Sequence, residues 1–227
     1  MKFVIIEAIL RDRRGFFDEI RQGRDLGPKI GAMLFTSIVL LAIYGGVMGS
    51  TSSLWQATSS AIKLPVLFLA TLMVCAPTLY FFNLIFGSNQ SLGQNVALML
   101  TGITITAVVL LSFAPVVLFF LLTSSHYQFF KLLNVGAFAI AGFIGVRFLH
   151  QGFLSVSQTD VQVDSRRRVL ILWILLYAFV GSQLAWTLRP FVGAPSMEFE
   201  PLRQLGGNFY TNLVASAGEV FGFSVVR

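Results

Sequence analysis

The side chains that catalyse reactions or hold metals are few in this 227-residue chain, and their spacing sets them apart. Its two histidines are His126, in the stretch SSHYQ, and His150, near the end of an apolar run. One membrane-crossing length of chain lies between them, which rules out a shared metal site. The single cysteine, Cys75, sits inside an apolar run, so an intramolecular disulfide and a cysteine metal cluster are both excluded. No HExxH, GxSxG, Walker-type loop or GxGxxG occurs, and no acidic residue falls inside a candidate span to serve a carboxylate proton relay. The chain is therefore expected to be no enzyme and to hold no metal, and nothing in it specifies a cofactor. Its phenylalanine richness suits a lipid-facing surface and does not diagnose a pigment site. The remaining polar groups in apolar surroundings are mild. Thr101 and Thr104 lie three apart with Thr106 close by, and Asn83, Asn134 and Gln183 fall near span ends. Such groups bond backbone or a neighbouring helix for about 0.6–2 kcal/mol each. The other use of Thr101 and Thr104 is to line a polar path, but a path for ions or charged solutes leaves a charge at membrane depth, and packing is the favoured reading.

The elements that would carry these residues follow from composition. Hydrophobic residues make up 56% of the chain and charged residues 11%, against roughly a quarter charged in soluble domains. Five segments are long enough for a hydrocarbon core of about 30 Å: Ile30–Met48, Leu64–Ile85, Val96–Leu122, Leu132–Phe148 and Val169–Leu188. Each must be helical, because in lipid a lone segment satisfies its backbone only within itself. The expected fold is an all-α integral membrane protein with five transmembrane helices in one bundle. The third segment exceeds an upright span, which predicts a tilt or a bend at Pro115. Residues 1–29 form an amphipathic interfacial segment, 30–188 the bundle, and 189–227 a structured outer tail. No internal repeat is present.

Orientation follows from the bases. With the N-terminus cytoplasmic, the inner side receives eleven Lys and Arg and the outer side five, Lys63 and Lys131 among the latter. The C-terminus is then outside, in a membrane expected to be a prokaryotic plasma membrane. The opening FVIIEAIL is broken by Glu7 and followed by the positive cluster, the wrong arrangement for a cleaved signal, so it is expected to be retained. Basic residues beside spans meet anionic lipid, and with no stacking aromatics or groove-reading pattern a nucleic-acid partner is excluded.

Residues 13–30, RRGFFDEIRQGRDLGPKI, carry eight charges around two phenylalanines. Apolar positions at 3, 6, 10, 17 and 20 predict one amphipathic helix on the membrane surface, with Phe16 and Phe17 among the headgroups and Arg21 and Arg24 facing lipid or a cytosolic partner. Gly15 and Gly23 permit changes of direction, and Asp25-Leu26-Gly27-Pro28 turns the chain into the first span. Small residues make two helix-packing seams: Ala137, Ala141 and Gly145 on the fourth span, and Ala178 with Ser182, beside Gly181 and Ala185, on the fifth. Pro77 and Pro115 mark kinks or hinges. In the outer tail, Arg189, Pro190, Phe191 and Gly193 are expected to form a contact turn, and Asn208–Phe221 an interfacial helix.

The FFDEIR stretch, the Asp25-Leu26-Gly27-Pro28 element at the first span, five closely spaced helices and opposite-side termini together resemble the Yip family of small multispan membrane proteins. The element is one residue shorter than the family's Asp-Leu-x-Gly-Pro. No tyrosine lies between Tyr80 and Tyr127 to supply a Gly-Tyr element usual in its eukaryotic members, so the family's small-GTPase partnership is not carried over. The resemblance implies a non-enzymatic helical membrane protein. The expected function is that of an accessory or organising subunit of a membrane complex. Its partners would be the lipid bilayer and another membrane or peripheral protein, or a second copy in an oligomer. The alternative is a channel or transporter for a neutral or lipid-like solute using the Thr101–Thr104 face.

Overall fold

The computed structural model describes residues 4–51, 53–85, 90–123, 127–156, 163–192, 202 and 210–211. Among the described residues seven helices follow in order: α1 (Val4–Arg11), α2 (Arg13–Arg21), α3 (Leu26–Gly49), α4 (Leu54–Ile85), α5 (Leu92–Thr123), α6 (Tyr127–Val156) and α7 (Val163–Thr187). No strand occurs among the described residues. The five helices α3 to α7 are long and apolar enough to cross a membrane.

They are longer than their greasy cores. Helix α4 begins at Leu54, ten residues before the expected Leu64, and α6 runs to Val156, eight residues past Phe148. Hydropathy marks only the stretch that prefers hydrocarbon, whereas backbone hydrogen bonding continues into polar flanks. At about 1.5 Å per residue, the 32 residues of α4 extend about 48 Å. Lys63, expected in an outer loop, is consequently inside α4 and buried, with Pro65 just after it in the helix interior. Lys131, also expected in a loop, belongs to α6.

Helix α3 is the middle of the array, packed on α4 along one side and on α5 along the other. Helix α6 lies against α5 and α7 against α4, while α6 and α7 barely meet. With little hydrophobic force between helices in lipid, close approach depends on missing side-chain atoms. A Cβ on Gly45 would strike the Ser60 backbone oxygen and stand 2.9 Å from its carbonyl carbon, so α3 and α4 touch backbone to backbone there. Across α5 and α6, Gly102 and Gly145 play the same part: a Cβ on Gly145 would collide with Thr106 Oγ1 and sit 2.6 Å from the Gly102 oxygen. Polar side chains then bridge the helices. Tyr44 on α3 donates to Asn134 Oδ1 on α6 at 3.0 Å, and Asn83 Nδ2 at the end of α4 donates to Asn95 Oδ1 at the start of α5 at 2.6 Å.

The charged opening departs from the expected single surface helix. Asp12, outside helical φ and ψ, caps α2 by accepting from the Gly15 amide at 3.1 Å, which divides the segment into two helices. Gly15 lies inside α2 and makes no change of direction. That change comes at Gly23 (φ 71°) and Asp25 (φ 50°), both left-handed.

Candidate functional site

Among the described residues, the N-terminal segment and the turn 189–192 are each bound to the bundle, at its opposite ends; the rest of the outer tail, with the expected helix Asn208–Phe221, lies outside the described residues apart from Leu202, Tyr210 and Thr211. At the first end, Ile5, Ile9, Phe16, Phe17 and Ile20 are buried. The Phe16 and Phe17 rings meet edge-on with centroids 5.8 Å apart, and Phe17 fills the space left by Gly152 on α6, where a Cβ would lie 2.7 Å from its Cζ. The expectation that both rings lie among headgroups is corrected: helical periodicity identifies an apolar face, and here protein covers it. Polar contacts reinforce the docking. The Arg13 guanidinium stacks over Phe148 at 4.1 Å and donates to Gln151 Oε1. Gln94 Nε2 on α5 donates to the Ile20 and Arg21 carbonyls at 3.0 and 2.8 Å, satisfying acceptors at the end of α2. Lys29 joins Glu19 at 2.9 Å and the Arg24 carbonyl at 2.8 Å. Arg21 pairs with Asp18 at 3.0 Å, and Arg24 is exposed, so these two remain on the outward side.

At the other end, three buried polar residues of α4 recur at i, i+4 and i+7 and grip the turn after α7. Gln56 Nε2 and Lys63 Nζ donate to the Pro190 carbonyl at 2.9 and 3.1 Å, and Ser60 Oγ donates to the Phe191 carbonyl at 2.6 Å. Gln56 Nε2 also reaches Ser60 Oγ at 3.2 Å. The Arg189 guanidinium stacks over Trp186 at 3.5 Å. Pro190 is buried and Phe191 half-buried, which corrects the reading of this turn as an outward contact; Gly193 lies outside the described residues. The signal was present in the sequence: Gln56, Ser60 and Lys63 share one helical stripe, but it shows only if the helix is extended below Leu64. Replacing Gln56 with leucine removes one of the donors to the Pro190 carbonyl. The expected cost is about 1–2 kcal/mol, with faster amide hydrogen exchange in residues 188–192, and unchanged exchange there would refute the grip.

In the middle of the bundle, Thr101 and Thr104 are fully buried between α3 and α5. Each bonds its own helix, to the Ala97 and Leu100 carbonyls at 2.8 Å. Thr104 Oγ1 is also 3.1 Å from Ser37 Oγ, and Thr101 Oγ1 faces Met33 Sδ at 3.5 Å. This is packing chemistry, with hydroxyls consumed by neighbours.

The two small-residue seams part company. Ala137 and Ala141 are buried, and Gly145 abuts α5. Ala178 is exposed, and Ser182 turns to the Phe179 carbonyl at 2.8 Å and to Tyr210 OH at 3.0 Å. The expectation that Ala178 and Ser182 pack within the bundle is corrected. Helix α7 instead binds α4 through large residues that sequence reasoning passed over: Trp173 Nε1 donates to the Cys75 carbonyl at 2.8 Å and Tyr177 OH to that of Phe68 at 3.3 Å. Arg147, next to the expected end of the fourth span at Phe148, has nine further residues of α6 beyond it and lies 5.8 Å from the Phe143 ring. No group of three or more metal-ligating side chains occurs among the described residues. No family model, curated protein or solved structure matches the chain.

Proposed function

We propose that this five-span chain is a non-enzymatic accessory or organising subunit of a membrane complex, and that it engages its partner through the outward face of α7. What supports the reading is the exposure of Ala178, with exposed Leu175 and Phe179 beside it, while α7 is held to its own bundle by the opposite face and Ser182, one turn on, meets Tyr210. A small-residue step permits a second helix to approach closely, and such approach drives association in lipid. Of the two seams read from the sequence, the one on α6 is occupied by α5, and the one on α7 keeps Ala178 exposed. At the ends, the described apolar residues of α1 and α2 and the turn 189–192 are engaged within the chain, which favours the flank as the contact. A Yip-like layout, an inward N-terminus and a plasma-membrane location belong to the same proposal.

Co-purification in mild detergent tests it. Wild-type protein is expected to bring down a membrane protein in stoichiometric amount, a second copy of this chain being one outcome that fits. Ala178→Phe is expected to lose it while melting like the wild type, because Ala178 is exposed. Equal recovery with Ala178→Phe would dismiss the α7 face as the contact.

A further inference from the structure

Where α6 and α7 fail to close on each other, near the bundle end that carries α2, they leave a cleft of about 320 Å³. Its two walls differ in chemistry. Arg147, His150 and Gln151 come from α6 together with Val146, whereas the α7 side is wholly aliphatic: Ile171, Ile174 and Leu175. Gln151 is engaged by Arg13, which brings a further guanidinium to the same end. Arg168, exposed at the start of α7, precedes Ile171 by three residues and Leu175 by seven, so it continues the stripe on which they lie. Among the described residues, no acidic side chain lines the cleft.

A soluble anion would gain nothing from the aliphatic wall, and a purely apolar guest would leave Arg147 facing hydrocarbon. An opening between two spanning helices is supplied from the bilayer, and basic pockets between such helices suit anionic headgroups. We propose that this cleft binds one anionic glycerophospholipid, its phosphate held by Arg147 and His150 and one acyl chain laid along Ile171, Ile174 and Leu175. Leu175 borders the partner seam as well, but the phosphate contacts lie on α6, so loss of lipid preference in Arg147→Gln and loss of the partner in Ala178→Phe test the two proposals separately.

The test uses the full chain in nanodiscs of equal parts phosphatidylcholine and phosphatidylglycerol, released and weighed by native mass spectrometry. The expected result is one retained lipid, with phosphatidylglycerol preferred by about fivefold. Arg147→Gln is expected to abolish the preference and Arg147→Lys to keep part of it. Leu175→Trp, at an exposed position where the bundle's packing is left intact, is expected to expel the lipid by filling the cleft with the charges unchanged. Excess soluble glycerol phosphate is expected to leave the lipid in place. Equal retention of both lipids by the wild type, an undiminished preference in Arg147→Gln, or displacement by glycerol phosphate would each overturn the proposal.

Discussion

Replacing Phe17 with alanine is expected to destabilise the protein by about 3–5 kcal/mol, the range for emptying a buried aromatic site, and to release α1 and α2 from the bundle. The ring is 2% exposed and stands on the Gly152 backbone with Leu98 beside it, so its loss leaves a hole against main chain that cannot move in. The segment around it carries Asp12, Arg13, Arg14, Asp18, Glu19 and Arg21, which places it where water or headgroups meet the protein. Burial there is driven by the hydrophobic effect, as in a soluble core. Phe17→Leu, which refills part of the volume, is expected to recover more than half the loss. Denaturant titration in bicelles gives the stability, and amide exchange over residues 4–21 reports the release. Wild-type protection of those amides in Phe17→Ala would mean that the polar contacts of Arg13, Gln94 and Lys29 hold the segment unaided.

Gly145→Val is expected to cost about 3 kcal/mol, the upper range for overpacking, by forcing α5 and α6 apart. The added atoms meet Thr106 Oγ1 and the Gly102 backbone oxygen, and the latter belongs to a helix that cannot yield locally. Gly142, three residues earlier on the same helix, has open space where a Cβ would go. Gly142→Ala is therefore expected to be neutral or slightly stabilising, since alanine has the higher helix propensity by about 1 kcal/mol. Thermal unfolding of the two variants separates steric fit from propensity. A similar loss in both would show that these glycines act through the backbone alone.

The number and kind of elements could be read from composition because hydrocarbon imposes one solution on each long apolar run. Helix limits could not, because the helices run on through residues that hydropathy scores as polar. Lys63 is the clearest instance: a charge beside an apolar run reads as a loop, yet its ammonium is needed by the Pro190 carbonyl 127 residues away. The docking of Phe16 and Phe17 was half legible. Periodicity revealed an apolar face, although the buried positions on α1 are Ile5 and Ile9 where the pattern had chosen 6 and 10. What covers that face depends on Gly152 and Leu98, whose distance in sequence hides the match. The α6 seam was legible as Ala137, Ala141 and Gly145. The same rule placed Ala178 and Ser182 inside the bundle, because a small-residue step states that a neighbour can come close without stating whose neighbour it is.

The most direct test of the account is which side of the membrane each bundle end faces. With Cys75 replaced by serine, single cysteines are introduced in place of Arg24 and Thr187, both exposed, and sealed vesicles are treated with an impermeant thiol reagent before and after lysis. Five crossings require that in vesicles of uniform orientation one site reacts at once and the other only when the membrane is opened. Reaction of both sites from the same side would contradict five crossings and remove the basis for the α7 contact face and the lipid cleft.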